Sequence, residues 1–135
     1  MKTFSAGTKE MIEEQYHQFI KDVLSHSEIE EKIAEEIANL SFMLWKKAVY
    51  RVGRVPSRLA VDCIYVISLL SGYRISKKNM VYATSRVLED TRGITPMVPS
   101  DDGSRWVKDE KWRNIILDLV PNESAFDEMA GAWKT

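Results

Sequence analysis

Cysteine and histidine are scarce here: Cys63, His17 and His26 are all that 135 residues contain. One thiol excludes a disulfide within the chain, and three such residues cannot assemble the usual four-ligand zinc site. His17 and His26 are expected to be surface residues, since neither has a cysteine or an acidic ligand pattern nearby. Cys63 reads as a small buried apolar residue. The six glycines form no phosphate-cradling loop, and neither Gly-x-Ser-x-Gly nor His-Glu-x-x-His occurs. Asp101 and Asp102 are paired, but Asp-Asp-Gly is a turn-forming sequence that accounts for them. These absences point to a non-enzymatic protein without cofactor or metal, and no small-molecule substrate is evident. No apolar run reaches membrane-spanning length, and no signal-peptide pattern opens the chain, so an intracellular location, cytoplasmic or nuclear (or nucleoid), is expected.

What is present suits one globular domain. A 44% hydrophobic and 29% charged chain of this length can bury a core without staples. The net charge of −1 hides an asymmetry: residues 1–44 sum to −5, residues 45–92 to +7 and residues 93–135 to −3. Either the basic middle meets an acidic partner or the acidic flanks fold over it and neutralise it.

Hydrophobic spacing predicts an all-α fold, a single domain over 1–135 with five to six helices. Residues 1–7 read as a loose start. Thr8 can cap a first helix over 9–24, whose inner face is Met11, Ile12, Tyr16, Phe19, Ile20, Val23 and Leu24. Ser27 and Glu30 have capping-box spacing, which starts a second helix near Glu28. Its stripe of Ile29, Ile33, Ile37, Leu40, Leu44, Trp45 and Val49 runs on to a stop at Gly53. Carboxylates crowd the early turns of this helix, and Lys46, Lys47 and Arg51 the late ones. The helix dipole favours that order, and the carboxylate run reads as a solvated face.

The third helix, about 56–71, is the one the others are expected to surround. Pro56 stands at its start and Gly72 just past its end, where each costs least. Between them only Ser57, Arg58, Asp62 and Ser68 are polar, so apolar side chains cover most of the circumference. A fourth helix over 77–90, capped by Ser76, buries Met80, Val81, Thr84, Val87 and Leu88 and stops near Gly93. The stretch 94–103 reads as a loop. A fifth helix over 105–120 ends at Pro121, and Asn122 can cap a short sixth.

The stretch Gly53-Arg54-Val55-Pro56-Ser57-Arg58-Leu59-Ala60, followed by Cys63-Ile64-Tyr65-Val66-Ile67-Ser68-Leu69-Leu70, resembles the third helix of a cyclin box. It is most similar to the version in transcription factor IIB and its archaeal counterparts. The resemblance covers about 28–92. It implies contact with a promoter complex or polymerase instead of chemistry. Two features depart from that family: there is room for one cyclin repeat and no zinc-ribbon cysteines. Where the family's second repeat carries a DNA-reading helix-turn-helix, this chain runs into Gly93 and a proline-containing loop.

Two surfaces are candidates for contact. One is basic: Lys46, Lys47, Arg51, Arg54 and Arg58 at the join of the second and third helices, with Arg74, Lys77 and Lys78 at the next join. It would hold DNA or a protein of the transcription machinery. The other is aromatic: Trp106, Trp112 and Trp133 either close the open side of the bundle or form an exposed interface for self-association, as in an assembly protein.

Overall fold

The computed structural model describes residues 6–51, 56–73, 75, 77–88 and 110–124. Among them are five helices and no strand: α1 (Ala6–Ser25), α2 (Glu31–Ala48), α3 (Pro56–Leu70), α4 (Lys77–Leu88) and α5 (Glu110–Leu119). Of the expected loose start over 1–7, Ala6 and Gly7 are instead in α1; residues 1–5, the loop at 94–103, Gly53, Ser76 and Gly93 lie outside the described residues.

The helix α1 begins at Ala6, so Thr8 lies inside it and is not its cap. Its inner face is as the spacing predicts, with Ile20, Val23 and Leu24 buried and Tyr16 and Phe19 against the core. Met11 is the exception at 73% exposed.

The helix α2 starts at Glu31, three residues later than the Ser27–Glu30 pattern predicts. Ser27 does not cap it. Its hydroxyl donates instead to the carbonyl of Val23 at 3.2 Å, closing the end of α1. The first bond of α2 runs from the Ala34 N–H to the Glu30 carbonyl, and Glu30 offers no side-chain cap. Further along, Ile37, Leu44 and Trp45 are buried, and Ile29, Ile33, Leu40 and Val49 pack at the core's margin. This helix lies against α1 on one side and α3 on another, with α5 also touching it. Tyr16 of α1 stacks on Trp45 with ring centroids 4.9 Å apart.

Ten of the fifteen residues of α3 are buried. They fall at every angle around the axis, from Leu59 to Leu70. Its end is fixed by the backbone: Gly72 has φ +85°, its N–H donates to the Leu69 carbonyl at 3.1 Å, and the Tyr73 N–H donates to the Ser68 carbonyl at 2.9 Å. That pair of bonds is the Schellman ending, which satisfies carbonyls the last turn leaves open. Cys63 is buried in this helix, as expected.

In α4, Met80, Ala83 and Thr84 are buried, and the Thr84 hydroxyl donates to the Met80 carbonyl at 2.6 Å. In α5, Trp112 and Ile116 close on the core.

Candidate nucleic-acid interface

The last turn of α2 and the turn that follows it bring Lys46, Lys47 and Arg51 into one cleft. Lys46 and Lys47 close α2, and Arg51 follows in a turn where its N–H donates to the Ala48 carbonyl at 3.0 Å. Tyr50 lies among them, and Ile115 of α5 forms the apolar wall of this space of about 290 Å³. Lys46, Lys47 and Arg51 are all exposed.

Both lysines have a physical reason to be where they are. Lys46 and Lys47 stand in the last turn of α2, where unpaired carbonyls give a partial negative charge. The Lys46 ammonium also sits 4.8 Å from the centre of the Phe42 ring, one turn back. On its own side Phe42 stacks against His17, centroids 4.2 Å apart and nearly coplanar in orientation. The His17 ring nitrogen Nε2 in turn lies 3.2 Å from Asn39 Oδ1. His17 is thus a packing residue between α1 and α2, half-buried, whereas His26 is exposed.

A fourth cation joins from another element. Lys9 of α1 places its ammonium 5.0 Å from the centre of the Tyr50 ring. Sequence reading counts the charges of residues 45–92 but passes over both Lys9 and Tyr50. The usable signal was local: an aromatic residue set between Lys47 and Arg51. Lys9 had none, because only the α1–α2 packing brings it there.

The carboxylates of α2 stand elsewhere. Glu30, Glu31 and Glu35 gather around Lys32 at the opposite end of the helix. Eighteen residues of helix put about 27 Å between the two ends. Among the described residues, no carboxylate forms an ion pair with Lys47, Arg51 or Arg58. Internal neutralisation of this end by the acidic flank is therefore not seen among those residues.

The remaining expected contacts are dispersed. Arg58 is exposed on the first turn of α3. Lys77 opens α4 and Lys78 is exposed beside it. They lie past the far end of α3, whose fifteen residues span about 22 Å. Arg54 and Arg74 lie outside the described residues. The two basic joins are thus separated by the length of a helix and do not form one compact cluster.

Of the tryptophans, Trp106 and Trp133 lie outside the described residues. Trp112 is 7% exposed and belongs to the core with Ile116. Its ring closes the bundle and leaves little surface for a partner.

Among the described residues, no three histidine, cysteine or carboxylate side chains come together to hold a metal. The Cys63 thiol is pushed well up by burial and by the neighbouring Asp62 carboxylate, which makes it a poor nucleophile. No described helix is long and apolar enough to cross a membrane. No known protein family, curated protein or solved structure matches this chain.

Proposed function

We propose that this protein is a non-enzymatic, transcription-associated regulator that binds DNA through the basic end of α2. The observation that carries the DNA contact is the cleft of Lys46, Lys47, Tyr50, Arg51 and Ile115, whose cations face solvent while the acidic groups of the same helix stand at its other end. Guanidinium and ammonium groups held on an exposed ridge are what phosphate contact requires. The role in transcription rests on the cyclin-box resemblance of residues 28–92. What supports that resemblance is α3, with Pro56 at its first position, burial all round, and Gly72 at its close.

The test is binding of labelled DNA, offered both as duplex and as single strand, to the protein and to Lys46→Glu/Lys47→Glu/Arg51→Glu. Binding to either form that the triple variant loses supports the assignment. A protein that binds neither form at low salt has no DNA function at this site, and the basic end then serves an acidic surface on a protein of the transcription machinery.

A further inference from the structure

Tyr50 is the unusual member of the cleft. It is 62% exposed, although an aromatic ring gains more from burial than almost any other side chain. It extends from the turn that follows α2, between Lys47 and Arg51, with Ile115 across the cleft. The Lys9 ammonium lies over the ring at 5.0 Å. That contact adds a fourth positive charge to the cluster and leaves most of the residue open to solvent.

We infer that this end of the molecule binds single-stranded nucleic acid, with an unpaired base stacked on Tyr50 and the adjoining phosphates held by Lys9, Lys46, Lys47 and Arg51. The inference rests on the DNA reading above and narrows it to one kind of strand. An exposed aromatic ring among cations is the arrangement that single-strand binders use, because every base has a face to stack and each nucleotide carries a phosphate beside it. A paired base offers no such face, since its neighbours in the duplex already cover it.

Cluster size points the same way. The space of about 290 Å³ lies at the lower limit of small-ligand sites, which suits one nucleotide unit and not a groove. Lys78 stands past the opposite end of α3, a helix of fifteen residues and so about 22 Å long. Lys9, Lys46, Lys47 and Arg51 thus form a compact patch instead of a track along a rigid duplex. A flexible strand can bend its phosphates into such a patch.

The experiment measures anisotropy of a labelled oligothymidine of about ten nucleotides and of a duplex of equal length, at one low salt concentration. Tyr50→Ala, Tyr50→Phe and Lys46→Glu/Lys47→Glu/Arg51→Glu are compared with the native protein, each checked for native helix content. The native protein is expected to bind the single strand more tightly than the duplex. Tyr50→Ala should weaken single-strand binding on the order of tenfold, and Tyr50→Phe, which keeps the ring, should restore it. Single-strand binding that ignores Tyr50→Ala but is lost in the triple variant overturns the stacking role while the phosphate contact stands. Preference for the duplex overturns the choice of strand. Absence of binding to both forms overturns this inference together with the DNA reading.

Discussion

The side-chain amide of Asn122 donates to the main-chain carbonyl of Leu70 at 3.1 Å, across 52 positions of sequence. Leu70 is the last residue of α3, where carbonyls have no partner within the helix. Gly72 and Tyr73 satisfy those of Leu69 and Ser68 through the backbone. Asn122, just past α5, supplies the donor for Leu70. One side chain thus ties the segment after α5 to the most buried helix.

Asn122→Ala should therefore destabilise the fold by about 1 kcal/mol, the net worth of a partly buried hydrogen bond. Urea unfolding followed by circular dichroism checks this. An unchanged midpoint would mean water replaces the amide without loss.

Gly72→Ala tests the turn on the same helix end. A Cβ at Gly72 would meet nothing within 4 Å, so no clash arises. The cost is conformational, because φ of +85° is a region that alanine enters at about 1–2 kcal/mol. Gly72→Asn should lose less, since asparagine tolerates that region better.

Trp45 joins three helices. Its ring is buried, stacks on Tyr16 of α1, and its indole N–H donates to the Pro56 carbonyl at the start of α3 at 3.0 Å. Trp45→Phe removes the donor and part of the ring together, and should cost about 2–3 kcal/mol. Trp45→Ala should cost about 3–5 kcal/mol. Thermal unfolding orders the three proteins.

Cys63 predicts an alkaline loss of stability. Burial raises its pKa in the folded chain, and the Asp62 charge raises it further. Below the unfolded thiol's pKa, about 8.5, both states hold the proton and stability is unaffected. Above that pH the unfolded thiol ionises while the folded one does not, so the unfolded state gains and stability falls. Tyr16, also raised by burial, acts in the same sense at higher pH. Cys63→Ala should flatten the decline between about pH 8.5 and 10. In the native protein a thiol reagent should react only as fast as the chain unfolds.

The bounds of α3 were legible because proline at a first helical position and glycine after a last one act through the backbone alone. Only local sequence is needed to see them. The start of α2 was not, because Ser27 has two acceptable partners. Its hydroxyl could cap α2 or close α1, and its burial at the end of α1 selects the Val23 carbonyl. Met11 follows the apolar spacing of α1 yet stays exposed, since spacing gives a face but not how far the neighbouring helices extend along it. At the candidate site, Lys46, Lys47 and Arg51 could be found by counting charge. The cluster they make with Lys9 and Tyr50 depends on α1 lying beside α2, which no local pattern states.

The most direct test of the basic end of α2 is the salt dependence of single-strand binding. Each phosphate contact adds about 0.7 to the slope of log affinity against log salt. Lys9, Lys46, Lys47 and Arg51 together should give a slope of roughly −2 to −3 in the native protein. In Lys46→Glu/Lys47→Glu/Arg51→Glu, binding should fall below detection. A flat slope, or a steep one that the triple variant keeps, would contradict the assignment of this surface.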